Sequence, residues 1–190
     1  MTLIVGTLHE GQVWMACDSI GSDGFTKMIV KQPKLFRKGD LIMGYTDSFR
    51  LGQLLEHNLA LPSRAVGQEV VSWLITAFVD TLRTCLKNGG YATCESGTEG
   101  GGNFLIATEG RLFEVQRNYS VLESTEPYAA VGSGEYHAYG ALHATHLLDL
   151  PPRQRLLLAL EAAAAHVTTV RGPYWIIPPG AASPEPLTDA

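Results

Sequence analysis

The order of strands and helices is the feature of this sequence that most constrains its fold. Strand-like segments come first, two helical segments follow, and then come more strands, two more helices and a final strand. Strands and helices grouped in runs are typical of α+β proteins. The natural arrangement places two sheets face to face, with a pair of helices outside each. At 190 residues, the chain suits one domain with a real core.

The predicted strands are short, apolar and bounded by turn residues. They are rich in β-branched and aromatic side chains, as strands usually are. His9-Glu10-Gly11 separates the first two and predicts a hairpin, and the polar cluster at 21–24 predicts a turn. The sequence predicts strands at residues 2–8, 13–17, 28–30, 34–36, 41–45, 104–107, 112–115, 128–131 and 168–177.

The helical segments carry apolar residues three and four positions apart. Asp47 or Ser48 is suited to cap the first helix, and Pro62-Ser63 separates it from the second. The predicted helices are residues 51–59, residues 66–86, a helix that opens at 132–134 and runs to 148, and residues 153–167. Residues 1–177 are expected to form one domain, and the Pro- and Ala-rich residues 178–190 a loose C-terminal tail.

Charge and cysteine usage narrow the classes of function. The net charge of −5 and the pI near 5.6, without a basic block, argue against nucleic acid as the main partner. The apolar start lacks the positive segment of a signal peptide, and no apolar run approaches the roughly 20 residues of a membrane span. Three cysteines, without metal-binding spacing, suit a reduced, cytoplasmic protein.

Three motifs suggest other chemistry, and each has a simpler interpretation. The Gly-rich stretch 91–103 lacks the Lys-Ser/Thr and the helix of a phosphate-binding loop, so a flexible surface loop is predicted. His143 and His146 lie one helical turn apart with His137 nearby, but a third ligand in matched geometry is not evident, so no metal or cofactor is expected. Cys17 lies in an apolar strand and is interpreted as a core residue rather than a nucleophile.

Thr2 directly follows the initiator Met at the head of an apolar strand. If Met1 is removed, Thr2 carries both a nucleophile, its hydroxyl, and a base, its free α-amino group. The pKa of such an amine is about 7.7–8, close to ideal for a general base near neutral pH. Met-Thr is also an ordinary chain start, so this interpretation depends on the residues that accompany Thr2.

Three further features accompany Thr2. Asp18 ends the second strand, Lys34 begins a later one, and Val131-Gly132-Ser133-Gly134 precedes an Ala-rich helix. With this spacing the chain resembles the proteasome β-subunit family, which includes the bacterial HslV-type relatives that work with an ATP-driven unfoldase. The resemblance runs from Thr2 to about Ile177. It implies a four-layer αββα sandwich of two antiparallel sheets flanked by helix pairs, and an N-terminal-nucleophile (Ntn) hydrolase.

The resemblance also implies roles for single residues. Lys34 would sit beside the Thr2 hydroxyl and lower its pKa through its positive charge, and Asp18 would keep Lys34 charged and in position. Ser133 would bond the Thr2 amine and help to relay a proton. Without the resemblance, these three residues are a strand-edge lysine, a strand-ending aspartate and a turn serine.

Substrate-binding residues are implied in the same way. Ser22 and Ser48 lie where the family presents its backbone to an extended peptide, which predicts binding by β-augmentation. A backbone N–H near Asp47 would supply the oxyanion hole. Asp47 is itself a departure, because the family often has a Gly pair there. Thr168 and Arg171 are further departures, since many members have an Asp and a Ser at the corresponding places.

The sequence therefore predicts a threonine-type endopeptidase that cleaves peptide bonds through an acyl-enzyme on Thr2. Two alternatives remain open: a proteasome-like ring without protease activity that serves as a scaffold or interaction protein, and an amidase of the same fold that acts on a small amide. By resemblance, the partners are a peptide or unfolded-protein substrate, an ATP-dependent unfoldase and further copies of the chain in a homo-oligomeric ring. The apolar helices 51–59 and 66–86 are expected to pack between subunits.

Overall fold

The computed structural model describes residues 2–23 and 25–188, so Met1, Gly24 of the predicted turn, and Asp189 and Ala190 of the predicted tail lie outside it. The strands are β1 (Leu3–His9), β2 (Gln12–Cys17), β3 (Ile20–Ser22), β4 (Lys27–Ile29), β5 (Leu35–Lys38), β6 (Leu41–Tyr45), β7 (Thr93–Glu95), β8 (Thr98–Gly100), β9 (Phe104–Thr108), β10 (Arg111–Val115), β11 (Val121–Glu123), β12 (Tyr128–Gly132), β13 (Tyr174–Ile177) and β14 (Glu185–Leu187). The helices are α1 (Phe49–Gln53) with a π-helical turn (Leu54–Asn58), α2 (Val70–Trp73) with a π-helical turn (Leu74–Phe78) that leads into α3 (Val79–Asn88), α4 (Glu135–His146) and α5 (Pro152–His166).

Two five-stranded antiparallel sheets form the middle of the molecule. The first has the strand order β12-β1-β2-β13-β14 and the second the order β11-β10-β9-β6-β5. The hairpins β3–β4 and β7–β8 form separate two-stranded sheets. The predicted α+β class is therefore confirmed, with the strands and helices grouped in runs along the chain.

Three apolar clusters, one at each interface between layers, build the core. The cluster between the two sheets includes Ile4, Met15 and Leu105. A second cluster, which includes Leu160, packs α4 and α5 on the outer face of the first sheet. A third, which includes Phe78, packs α1, α2 and α3 on the outer face of the second sheet. These layers form the four-layer αββα sandwich that the resemblance implies.

The layers explain why the first strand opens with the apolar run Leu3-Ile4-Val5. Successive side chains of a strand point to opposite faces. Ile4 accordingly lies between the sheets, whereas Leu3 and Val5 belong to the cluster formed with α4 and α5. Because both faces of β1 are covered, residues 3–7 are all buried, and the one polar side chain among them, Thr7, donates its hydroxyl proton to the Pro127 carbonyl at 3.3 Å.

Side-chain caps set where the first two helices begin. The Ser48 side chain accepts a backbone N–H at 3.0 Å, which confirms it as the cap of α1. The second helix starts at Val70 and not at 66, because the Glu69 side chain caps it by accepting the Ser72 N–H at 3.0 Å. Val66 lies fully exposed in the preceding turn. No helix within residues 2–23 and 25–188 is both long and apolar enough to cross a bilayer.

Several short strands depart from the sequence prediction. The predicted turn at 21–24 begins inside β3, and the predicted loop at 91–103 contains the hairpin β7–β8. The prediction of a loose tail is wrong for residues 185–187, because β14 pairs with β13 and Leu187 is buried. Of the strand predicted at 168–177, only the part from Tyr174 onward is extended. Strands of three residues are too short to show a periodic pattern.

Candidate active site

The register of the first sheet brings three predicted site residues to one end of β1. Antiparallel partners advance in opposite directions, so Thr2 falls beside Ser133 on one side, and Leu3 falls beside Asp18 on the other. The Ser133 N–H accordingly donates to the Thr2 carbonyl at 2.8 Å, and the Asp18 N–H donates to the Leu3 carbonyl at 3.3 Å. The pairs that fix this register are Leu3 with Gly132 and Ile4 with Cys17.

A buried ion pair connects this strand end to the residue before β5. The Lys34 ammonium donates to Asp18 Oδ1 at 2.9 Å and to the Ile20 carbonyl at 2.6 Å, and neither charged side chain is exposed. Asp18 Oδ1 also accepts the backbone N–H of Leu3 at 3.0 Å, and Oδ2 accepts that of Ile20 at 3.0 Å. The oxygen that holds Lys34 therefore also holds the N–H that directly follows Thr2.

Burial and hydrogen bonding act in opposite directions on the Asp18 carboxyl. Burial raises its pKa above the usual value, whereas the Lys34 charge and the N–H donors of Leu3 and Ile20 oppose this rise. Two charges taken out of water are costly unless each is paired and hydrogen-bonded, and both conditions are met here. The contacts with Asp18 and Ile20 use two of the three protons of the ammonium group.

Gly132 is required by the close approach of the chain to Thr2. Its φ is +102°, and a Cβ at this position would lie 2.1 Å from the Thr2 carbonyl oxygen and 2.8 Å from Thr46 Cγ2. An L side chain fits neither this angle nor this space. Buried Thr46, which no motif marked, therefore lies next to Thr2, and its hydroxyl donates to the Asn103 carbonyl at 2.6 Å.

The Ser133 hydroxyl is hydrogen-bonded to the hydroxyl of Thr169, which is buried in the loop between α5 and β13. Ser19 fastens this loop to the end of β2. Its N–H donates to the Arg171 carbonyl at 3.0 Å, and its hydroxyl donates to the Pro173 carbonyl at 2.5 Å. The resemblance directs attention to other positions of the loop, so sequence reasoning missed Thr169.

Asp47 has a left-handed backbone and a side chain held from two directions. Its φ is +62°, a conformation that favours Gly and is tolerated by Asp and Asn. Asp47 Oδ2 accepts the Asn103 N–H at 3.2 Å and lies 3.5 Å from the Arg117 guanidinium. The sequence offered no signal for Arg117, which is distant in the chain. Ser48, by contrast, uses its side-chain oxygen to cap α1.

A polar cavity of about 570 Å³ adjoins Asp47. It is formed by the hairpin β7–β8, the start of β9 and the turn between β10 and β11. Its lining residues include Asp47, Thr98, Glu99, Asn103, Glu114 and Arg117.

Ser22, the third predicted substrate-binding residue, lies in β3 opposite Lys27 of β4. β3 starts at Ile20, whose carbonyl contacts Lys34, so this hairpin leads directly away from the buried ion pair.

The other chemical motifs have local partners. His143 Nδ1 lies 2.9 Å from the Tyr128 hydroxyl, His146 Nδ1 lies 2.9 Å from the His143 carbonyl oxygen, and the His137 ring stacks on the His166 ring with centroids 5.3 Å apart. Among the residues that the structure describes, no group of three or more His, Cys, Asp or Glu is placed to hold a metal ion.

Cys17 is a core residue, as predicted. It lies between the two sheets without exposure to solvent. Burial, and next the charge of Asp18, raise the pKa of its thiol to about 12. The thiolate, which is the nucleophilic form of cysteine, is therefore scarce at neutral pH.

The four layers are those of the Ntn-hydrolase fold of proteasome-like proteins. The chain is similar to BPH of Thiobacillus denitrificans, solved in complex with epoxomicin, with a TM-score of 0.78 and 22% identity over 98% of this chain and 100% of that one. It is also similar to HslV from Trypanosoma brucei, with a TM-score of 0.66 and 15% identity over 92% of this chain and 97% of that one.

A further similar structure is Anbu, described as an ancestral β-subunit, from Yersinia bercovieri. Its TM-score is 0.70, with 15% identity over 98% of this chain and 87% of that one. No family model and no curated protein matches the sequence. At these identities the likeness shows the fold, and the fold that the resemblance implied is confirmed.

Proposed function

We propose that this protein is an N-terminal threonine hydrolase that cleaves peptide bonds, with Thr2 as the nucleophile once Met1 has been removed. The observation that carries the proposal is the buried Asp18–Lys34 pair at the head of β1. An ammonium group held out of water beside a strand-head threonine has a chemical use that a surface lysine lacks. The proteasome-like fold supports a hydrolase of the same class.

The reaction needs only groups of Thr2, the substrate and water. The free amine of Thr2 takes the proton of the Thr2 hydroxyl, directly or through a water molecule, as the oxygen attacks the carbonyl carbon of the peptide bond. The C–N bond then breaks, and the amine passes its proton to the leaving nitrogen. A water molecule hydrolyses the resulting ester, which restores the hydroxyl and releases a carboxylic acid.

The neighbouring residues supply charge and orientation. Lys34 directs its third proton to the Thr2 hydroxyl, lowers the pKa of that hydroxyl and stabilises the developing alkoxide. Asp18 pairs with the Lys34 ammonium group and keeps it in place. The Ser133 hydroxyl accepts a hydrogen bond from the Thr2 amine and helps to relay its proton. A backbone N–H near Asp47 forms the oxyanion hole.

The substrate is a peptide or an unfolded protein chain. It binds in an extended form along the backbone near Ser22 and Ser48, which adds a strand beside the site. The polar cavity beside Asp47 offers space for a substrate side chain. Assembly into a homo-oligomeric ring in the cytoplasm, with an ATP-dependent unfoldase as partner, completes the proposal.

Four proteins test the chemistry in one assay. Wild type, Thr2→Ala, Thr2→Ser and a variant with an uncleavable extension before Thr2 are compared with fluorogenic peptides. Thr2→Ala deletes the nucleophile and should abolish turnover, whereas Thr2→Ser retains the hydroxyl and the amine and should keep part of it. The extended variant should be as inactive as Thr2→Ala, because its base would be an amide nitrogen. Circular dichroism checks that all four fold.

Two further measurements separate the hydrolase from the scaffold. Intact mass reports whether Met1 is absent from the purified wild type. Labelling with an electrophilic probe for N-terminal threonine, and binding of epoxomicin, should occur with wild type and fail with Thr2→Ala. A wild type that retains Met1, takes no probe and cleaves no peptide would reject the hydrolase in favour of a scaffold.

A further inference from the structure

We propose that Thr169 is a positioning residue of this site, whose hydroxyl fixes the direction of the Ser133 hydroxyl so that the Ser133 oxygen faces the Thr2 amine. The inference rests on the proposed function, because it concerns the amine that acts as the base. Thr169 touches neither the substrate nor the reacting bond in this proposal, and it acts only through Ser133.

The backbone of Ser133 is already fixed beside Thr2. Its N–H donates to the Thr2 carbonyl at 2.8 Å, and the preceding Gly132 fits against that carbonyl so closely that a Cβ would lie 2.1 Å from it. The hydroxyl of such a residue can still rotate, because hydroxyl protons turn to suit their partners. The Ser133 and Thr169 hydroxyls are hydrogen-bonded and either can be the donor; donation by Ser133 to Thr169 removes this freedom.

Thr169 is itself held firmly. It is buried, and the next residue, Val170, packs into the apolar cluster formed with α4 and α5. Two hydrogen bonds from Ser19 tie the same loop to the end of β2, one residue after Asp18. The loop therefore connects the Asp18 side of Thr2 to the Ser133 side. A hydrogen bond that is partly shielded from water, as the one between Ser133 and Thr169 is, is stronger than one in bulk water.

The direction of the hydrogen bond between Ser133 and Thr169 follows from the role of the Thr2 amine as the base. After taking a proton the amine is an ammonium group, which can only donate. Ser133 can accept from it if its own proton points to Thr169, since a hydroxyl has one proton and two lone pairs. An acceptor placed on the charged form favours that form, so this arrangement raises the pKa of the Thr2 amine and strengthens it as a base.

Thr169→Val keeps the shape of the side chain and removes only the hydroxyl. The Ser133 proton can then turn to the lone pair of the neutral amine, so the amine pKa should fall. Activity needs the neutral amine, so the acid limb of the kcat/KM profile should move to lower pH by about 0.5–1 unit, which corresponds to one ordinary hydrogen bond. The weaker base should lower kcat about five- to tenfold with little change in KM. Thr169→Ser should restore both values.

Thr168→Val is the matched control, because it makes the same substitution at the exposed neighbouring residue. Its pH profile and kcat should equal those of the wild type. A second measurement needs no turnover: the ¹³Cα shift of Thr2, assigned by its loss in Thr2→Ala, is followed through a pH titration of protein that begins at Thr2. The amine pKa should be lower in Thr169→Val than in wild type, Thr169→Ser and Thr168→Val.

An amine pKa that is equal in Thr169→Val and wild type overturns the proposal, even if kcat falls, because a purely structural role lowers activity without moving the titration. A Thr169→Ser variant as impaired as Thr169→Val also overturns it. If wild type cleaves no peptide while the titration still differs between wild type and Thr169→Val, the hydrolase proposal fails and the positioning role of Thr169 stands.

Discussion

Burying the charged side chain of Lys34 is energetically costly for the fold. It is among the largest fully buried side chains, and its ammonium group and the Asp18 carboxylate are both without exposure. A buried ion pair adds little stability over a well-packed apolar pair of similar volume, because desolvation offsets the attraction. Stability alone is therefore a weak reason for this pair, and its position one residue from Thr2 gives a chemical reason.

The variant Lys34→Met should separate the contribution of Lys34 to stability from its contribution to catalysis. The substitution keeps the length of the side chain but leaves Asp18 buried without its counter-charge, so the free energy of unfolding should fall by about 3–5 kcal/mol. Peptide hydrolysis should fall about 10²–10³-fold, as when other preorganised stabilising groups are removed. Urea denaturation and fluorogenic peptides measure the two effects.

The double variant Lys34→Met/Asp18→Asn is the control for that experiment. It removes the orphaned charge, so it should recover part of the lost stability and none of the lost activity. A recovery of both, or a Lys34→Met variant with wild-type turnover, would show that the pair serves the fold alone.

Asp47 lies where the resemblance has a Gly pair, and its φ of +62° suits Gly or Asn. If its side chain crowds the substrate, Asp47→Gly should raise kcat/KM for small peptide amides. Asp47→Asn retains the size and the backbone angle and loses the charge, so it should leave crowding unchanged. Steady-state kinetics of both variants show whether the size or the charge of Asp47 limits kcat/KM. Thermal unfolding checks that both variants fold. Unchanged or lower kcat/KM in well-folded Asp47→Gly rejects crowding.

Some residues of the site could be predicted from the sequence and others could not, for a physical reason. Thr2 and Asp18 lie at the ends of the neighbouring antiparallel strands β1 and β2, so their spacing determines their approach in space, whereas Lys34 precedes β5 of the other sheet and was placed beside them only by the resemblance. Thr169 and Arg117 lie in loops far along the chain from Ser133 and Asp47. No periodic pattern links a loop to a distant strand end, so these partners become visible only in the folded chain.

Among the elements, the longer ones could be predicted, whereas of the three-residue strands only β4 could. The buried strands and the apolar helices carry enough residues to show their period. β3, β11 and β14 exist because a neighbouring strand offers backbone partners, which is a tertiary cause. β14 extends the first sheet beyond β13, with Tyr174 opposite Leu187.

The burial of β14 predicts that the C-terminal segment contributes to stability. Leu187 is 4% exposed and packs into the cluster with α4 and α5. Leu187→Ala should therefore lower the free energy of unfolding by about 2–3 kcal/mol, through lost burial and a residual cavity. Leu148→Ala, at a residue that is 53% exposed, is the matched control and should change stability by less than about 0.5 kcal/mol. Equal effects in urea denaturation would mean that β14 frays in solution.

At the scale of the whole molecule, assembly depends on the apolar surface that the single chain leaves exposed. The apolar stripes of α1 to α3 and their π-helical turns pack against β9, β10 and the neighbouring strands of the same chain. Ile75 of the same helices is 52% exposed, and the packing of these helices between subunits stays a prediction. Exposed apolar side chains also lie on and beside the hairpin β3–β4, where Phe25, Met28 and Ile29 face solvent.

This hairpin gives the homo-oligomer a specific prediction. A two-stranded ribbon has little stability of its own, and Phe25 is 99% exposed in the single chain. A second copy of the chain that covers this face would bury the Phe25 side chain. It would also order β3, the strand that leads from Ile20 past Ser22. Light scattering at micromolar concentration should show an oligomer for wild type, and Phe25→Ser/Met28→Ser should dissociate it. Val66→Ser, at another fully exposed apolar residue, should leave the mass of the oligomer unchanged.

Peptide hydrolysis should fall with dissociation of the oligomer, because the ordered hairpin borders the Lys34 site. A wild type that scatters as a clean monomer contradicts assembly, and a double variant that stays oligomeric places the interface elsewhere.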